Sequence, residues 1–215
     1  MKIGIIGSGT VGQVLAKGFS SEGHEVSVGT RNPAKTELEN FRKQNRSIKI
    51  DTFEQTAANA ELIVLATAGT AVEEAIKLAA LQNFADKIVI DATNPLDPQP
   101  PVNGVLKFFT DLDSSLMERI QQLIPEAKLV KAFNSVGRAL TYKPNLKEGT
   151  PTMFICGNDE DAKKTVTKIL TSFGWETEDM GKAEAARAIE PLCMLWCIRG
   201  FLRNSWTHAF KLLKS

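Results

Sequence analysis

Gly7-Ser8-Gly9-Thr10-Val11-Gly12 spells G-x-G-x-x-G between a β-branched apolar run (residues 2–7) and a stretch of helical spacing (11–23) closed by Gly23. In that setting each glycine has its own task. Gly7 allows the tight turn, Gly9 lets a diphosphate approach the backbone, and Gly12 lets the helix pack close on the strand. The free amides and dipole of the helix's first turn then face the anion. The alternative is a glycine-rich turn with no ligand. Against it stand the strand before, the helix after, and a second strand within about thirty residues.

That second strand (25–30) ends in Thr30, Arg31 and Asn32, with Lys35 one helical turn further on. An acid at this point would accept the ribose 2′-hydroxyl and repel a 2′-phosphate. No acid occurs within residues 27–35. Arg31 offers a planar fork suited to phosphate oxygens, Lys35 a second cation, Thr30 a hydroxyl and Asn32 an amide. The pattern predicts a preference for NADP(H), against the alternative of solvated loop charges.

Ligands of open α/β sheets lie beyond the carboxyl ends of the strands. Three such ends follow: Ala66-Thr67-Ala68-Gly69, Thr93-Asn94-Pro95 and Ala132-Phe133-Asn134-Ser135. Ala66 and Thr67 are small enough to line a coenzyme groove. Asn94 and Asn134 could orient a nicotinamide or a substrate ring, or simply cap turns. His24 and His208 fall outside these ends, Lys131 sits inside a strand, and no Ser/Tyr-x-x-x-Lys set reaches them, so no residue is named catalytic. Chemistry without a protein proton donor is favoured, such as hydride exchange between NADPH and a flavin-like ring stacked at the right distance. Cys193 and Cys197 share a helical face, but Leu192, Met194, Leu195, Trp196 and Ile198 around them favour buried thiols over a metal site.

The elements that must hold these residues alternate along the chain. Strand-like runs occur at 2–7, 25–30, 47–51, 61–67, 87–95, 127–134, 151–158 and 175–181, with helical patterns at 11–23, 33–45, 70–82, 114–124 and 159–172. Thr52/Gln55 and Ser115/Glu118 are capping boxes that open helices. Six strand–helix pairs predict an α/β fold: a doubly wound, mostly parallel sheet of the NAD(P)-binding Rossmann type. Residues 1–181 are expected to form the NADP-binding domain. The C-terminal segment 182–215 is expected to be helical, interrupted at Pro191 and Gly200, and packed on that domain or at a dimer interface. Trp196, Phe201, Trp206 and Phe210 suggest a homodimer interface, or one wall of a substrate pocket.

Composition bounds the rest. The 215 residues, 43% hydrophobic and 24% charged, with 26 Lys plus Arg against 25 Asp plus Glu, argue against a nucleic-acid or membrane-surface partner held by bulk charge. There is no signal-peptide pattern and no bilayer-length apolar run, and three cysteines do not suggest a disulfide framework. A cytoplasmic location is expected.

GIIGSGTVG, GTRNPAK, DATNPL and KAFN in combination resemble the coenzyme F420-dependent NADP oxidoreductase family, over roughly residues 1–180. This superfamily is similar also to the cytoplasmic reductase domain of the STEAP metalloreductases. The resemblance implies NADPH binding and hydride transfer to or from a deazaflavin or flavin co-substrate, largely through backbone positioning. It further implies Ser8, Thr10 and Val11 at the diphosphate, Thr30, Arg31 and Lys35 at the 2′-phosphate, and Ala66 and Thr67 in the groove. The expected partner is a small-molecule hydride acceptor. A redox-sensing regulator that binds NADP(H) without turnover is the alternative.

Overall fold

The computed structural model describes residues 1–214. Its eight strands are β1 Lys2–Ile6, β2 Glu25–Thr30, β3 Lys49–Thr52, β4 Leu62–Leu65, β5 Ile88–Asp91, β6 Lys128–Lys131, β7 Thr152–Gly157 and β8 Glu176–Asp179. They form one sheet in the order β3-β2-β1-β4-β5-β6-β7-β8. Helices α1 Thr10–Ser21, α2 Glu39–Gln44, α3 Phe53–Asn59, α4 Val72–Leu78, α5 Leu116–Leu123, α6 Glu160–Ser172 and α7 Ala186–Arg203 complete the α/β architecture. The order reverses at β1, which pairs with both β2 and β4. That is the switch point beside which such folds open a crevice.

β4 explains its own uninterrupted apolar run. Leu62 and Val64 enter the core beneath α1 and α6, while Ile63 and Leu65 enter the opposite core beneath α3, α4 and α5. A strand covered on both faces has no polar side. Both capping boxes form, with the Thr52 and Ser115 hydroxyls accepting the Gln55 and Glu118 amides.

The sheet is mostly parallel, as expected, and two expectations about the tail are corrected. The sheet is parallel from β3 through β6, but β7 runs antiparallel to β6. Residues 132–151 contain no helix, so the chain has no crossover to carry it back and simply turns round. Buried Phe133 takes part in that turn with φ +61°. Pro191 does not interrupt α7 but lies inside it. The helix ends instead at Asn204, in the left-handed region with φ 48°.

The rest of the tail is not helical. Residues 204–214 fold back along α7 and reach β7, where the Phe210 carbonyl accepts the Thr152 amide at 2.9 Å. Gly200 permits this return, because a Cβ there would meet the Trp206 ring at 2.2 Å. Trp196 is 7% exposed, stacks on His208 with centroids 4.9 Å apart, and donates to the His208 carbonyl at 2.8 Å. Its ring fastens the tail within the chain. Leu195, Phe201 and Leu202 remain exposed on α7.

Candidate dinucleotide site

Beyond the carboxyl ends of β1, β2 and β4 lies a cavity of about 420 Å³, lined by Gly7, Ser8, Gly9, Thr30, Arg31, Asn32, Lys35, Ala66 and Thr67, with Phe53, Ala75 and Leu78 from α3 and α4. A second hollow of about 270 Å³ continues over Gly9, Thr10, Val11, Ala66, Thr67, Ala68 and Ala92 towards β5. Coenzyme-sized space thus runs across the switch point, and most residues expected from the sequence face it.

The glycines divide by cause. A Cβ on Gly7 would meet the Ala66 carbonyl oxygen at 2.5 Å, and φ +129° excludes other residues in any case. A Cβ on Gly12 would meet the Gly7 carbonyl oxygen at 2.0 Å, so Gly12 lies behind the groove and serves packing. Gly9 differs. It is the N-cap of α1 with φ −73° and ψ −177°, which any residue can adopt, and its Cβ would meet nothing within 4 Å. No protein neighbour explains this glycine, but a ligand close to the backbone does. Among the described residues no side chain caps α1, and the buried Thr67 hydroxyl has no partner. The residues therefore fit a dinucleotide: a cradle a Cβ would fill, an open helix N-terminus and an unclaimed hydroxyl.

At the β2 end, Thr30 is buried while Arg31 is exposed and Lys35 half-buried. Among the described residues neither cation is salt-bridged, although Glu37 and Glu74 also line the cavity. The Asn32 carboxamide oxygen is engaged by the Ala34 amide at 3.0 Å, leaving only its NH₂ free. Arg42 donates to the Pro33 carbonyl and holds this turn from below.

Asn94 and Asn134 line neither space. They clasp each other across the ends of β5 and β6: Asn94 Nδ2 donates to the Asn134 carbonyl at 2.8 Å, and Asn134 Nδ2 donates to Asn94 Oδ1 at 3.2 Å and to the Ile189 carbonyl of α7 at 2.9 Å. Their observed work is to fix the turn. His24 packs on Phe19 ahead of β2, and His208 stacks on Trp196, so neither reaches the groove. Among the described residues no group of three or more His, Cys, Asp or Glu could hold a metal, and no helix is long and apolar enough to cross a membrane.

Sequence reasoning missed one cluster. Asp91 and Lys131 close β5 and β6 in direct register, and Glu190 joins them from α7, all buried. Lys131 lies 2.6 Å from Asp91 and 2.8 Å from Glu190. Burial lowers the Lys131 ammonium pKa, but Asp91 and then Glu190 outweigh it and leave it raised. An acid and a lysine ending neighbouring strands were the available signal.

This fold and groove are of the dinucleotide-binding class. Residues 2–95 match the family described as NADP oxidoreductase, coenzyme F420-dependent. A crystal structure from Arthrobacter sp. FB24, of a protein proposed to be an F420-dependent NADP reductase, superposes with a TM-score of 0.93 at 33% identity, covering 100% of both chains. The F420-dependent NADP reductase of Methanothermobacter thermautotrophicus is 28% identical over 95% of this chain and 93% of its own. Metalloreductase STEAP3 of Rattus norvegicus is 29% identical over 89% of this chain, which spans only 36% of that longer protein. The chain belongs to the coenzyme F420-dependent NADP oxidoreductase family and is an NADP-dependent oxidoreductase.

Proposed function

We propose that the protein exchanges hydride between NADP(H) and a flat ring acceptor, a deazaflavin of the F420 type or a flavin, held against the nicotinamide. The single observation that carries this reading is the groove itself. It is open above Gly9 at its centre, has unpaired Arg31 and Lys35 at one end, and is lined at the other only by small or neutral residues. The bound coenzyme supplies the hydride. The chain supplies position. Backbone amides from Ser8 to Val11 meet the diphosphate at the positive end of α1. Arg31 and Lys35, with the Thr30 hydroxyl and the Asn32 NH₂, neutralise the 2′-phosphate. Ala66 and Thr67 form the wall, and the Asn94–Asn134 clasp fixes the strand ends beside the ring.

The second hollow has no titratable side chain in its wall. Proton transfer by the protein is therefore not part of the reading, which suits a ring that takes its proton from water. The names of the full-length relatives support the deazaflavin, and the metalloreductase likeness supports a broader choice of acceptor. Titration with NADP⁺ and NAD⁺, followed by NADPH oxidation against F420, flavins, quinones and imines, tests the proposal. Arg31→Ala should weaken NADP⁺ by about 1.5–3 kcal/mol, the value of a hydrogen bond to a charged group, and leave NAD⁺ nearly unchanged. Equal losses would refute the 2′-phosphate assignment. Saturable binding with no turnover on any acceptor would instead make the protein a sensor of the NADP⁺/NADPH ratio.

A further inference from the structure

Asp91, Lys131 and Glu190 form a group that the coenzyme-binding residues do not use. Lys131 Nζ pairs with Asp91 Oδ2 and Glu190 Oε1 and donates to the Thr93 carbonyl at 3.0 Å. Three of the four carboxylate oxygens accept hydrogen bonds, and the fourth, Asp91 Oδ2, has only the charge of the ammonium beside it. Asp91 Oδ1 accepts the Thr93 amide at 2.9 Å and the Thr93 hydroxyl at 2.7 Å, while Oδ2 is held by the ammonium alone. Glu190 accepts the amides of Leu116 at 3.0 Å and Met117 at 2.9 Å, the first two residues of α5. Such surroundings suit two acceptor-only, ionised carboxylates. Two negative charges against one positive leave a surplus of one. The N-terminal dipole of α5 offsets about half of it. Two thiols also face the group and add no charge: burial pushes Cys156 up to about 12, and the Cys197 contact and then burial raise Cys193.

The position of this surplus matters. Ala92, the residue after Asp91, lines the second hollow together with Gly9, Val11 and Thr67. That hollow is the end of the groove opposite Arg31 and Lys35, where the assignment in the preceding subsection, on which this inference rests, puts the nicotinamide.

We propose that the buried Asp91–Lys131–Glu190 group is an electrostatic bias on the coenzyme. Its net negative charge behind the groove wall favours the cationic oxidised ring over the neutral reduced one, and so favours hydride leaving NADPH. When the ring's C4–H bond breaks, the hydrogen departs to the acceptor with both electrons and the ring is left one unit more positive. The phosphates feel the surplus charge alike in both forms, so the ring alone makes the difference. These three side chains are positioning and tuning residues, since none lines the second hollow itself. A unit charge on the order of 10 Å away, at an effective dielectric constant of about 20, changes the relative affinity of the two forms roughly tenfold. With the helix dipole offsetting half of that energy, about three- to fourfold remains.

The experiment is titration of the full chain with NADP⁺ and, separately, NADPH, before and after Glu190→Gln and Asp91→Asn. Both substitutions remove one negative charge at nearly constant shape. Each removes a whole unit charge while the helix dipole stays, so each should weaken NADP⁺ relative to NADPH by about tenfold. A ratio that stays put, or equal weakening of both forms, overturns the proposal and leaves the group a structural one. Should Glu190→Gln not fold, Asp91→Asn decides alone, since the asparagine oxygen can keep the Thr93 contacts. Failure to bind either nucleotide would overturn the functional reading itself. Binding of both with an unmoved ratio would overturn only this inference.

Discussion

Gly9 can separate what the fold needs from what the ligand needs. Changing it to alanine adds a methyl group that touches no protein atom within 4 Å, on a backbone with φ −73° that accepts it without strain. Two small terms then compete. The unfolded chain loses conformational freedom, which stabilises by about 0.4–1 kcal/mol. An alanine N-cap is poorer than glycine by a similar amount. The sum should lie within about 1 kcal/mol of zero, or roughly 3 °C in melting temperature for a chain of this size. Gly12→Ala is the contrast, because its Cβ would be driven to 2.0 Å from the Gly7 carbonyl oxygen. Overpacking of that kind costs about 1–3 kcal/mol or more. Thermal melts with and without NADP⁺ then give the answer. At a hundredfold excess over Kd the coenzyme stabilises the wild type by about 2.7 kcal/mol, a shift of roughly 5–11 °C. In Gly9→Ala a tenfold loss of affinity would halve that shift while the ligand-free melt stays in place. If Gly9→Ala melts early like Gly12→Ala, or keeps the full NADP⁺ shift, the glycine is not there for a diphosphate and the cradle assignment is wrong.

Three further outcomes test other parts of the structure. Lys131→Met leaves two buried carboxylates without their cation and should cost about 3–5 kcal/mol in denaturant unfolding; a loss below about 1 kcal/mol would show that the pair is not ionised as drawn. Trp196→Ala removes a 7%-exposed ring and its bond to the His208 carbonyl, so it should destabilise by about 3–5 kcal/mol and open residues 204–214 to protease, whereas an unchanged digestion pattern would deny the tail its anchor. Glu118 is held below its usual 4.5 by the Arg187 guanidinium and then by Ser115. Its contribution is therefore full above about pH 4.5 and lost as pH falls through the lowered folded value, so the acid slope of the wild-type melting temperature should flatten in Glu118→Gln.

What the sequence disclosed was local. The glycine loop, both capping boxes and the cations after β2 are fixed by neighbours a few residues away, and spacing alone places them. The doubly covered β4 was legible because two cores require an apolar run. The direction of β7 depended on what residues 132–151 lack, and a run of strand-like segments hides the missing helix. Pro191 was misleading for a related reason. A proline removes one amide and does not by itself end a helix whose flanks are packed, as Ile189 and Glu190 are here. The tail's aromatics pointed outwards in a one-dimensional reading, yet Gly200 and Gly137 are the spaces into which Trp206 and Trp196 fold.

The acid–lysine–acid group shows where such reading stops and how the C-terminal helix is tied to the strand ends. Asp91 and Lys131 are forty residues apart and Glu190 a further fifty-nine, so no window contains them. Once the sheet sets β5 beside β6, two charges meet in register, and burying that pair alone would be costly. Glu190 arrives from α7 and binds the ammonium and the open amides of α5 together. One turn of the last helix also supplies the Ile189 carbonyl that receives Asn134. Through these contacts α7 is tied to the ends of β5 and β6, and the first of these borders the second hollow at Ala92. A segment that began as a tail by composition is thereby mechanically continuous with the place where a ring would sit, and cutting the Asn134–Ile189 contact with Asn134→Ala should loosen that end of the groove while sparing the Arg31 end. Hydrogen exchange at residues 92–96 and 133–136 should rise in that variant and stay level at 30–35; a uniform rise would mean that α7 supports the whole fold and not this corner of it.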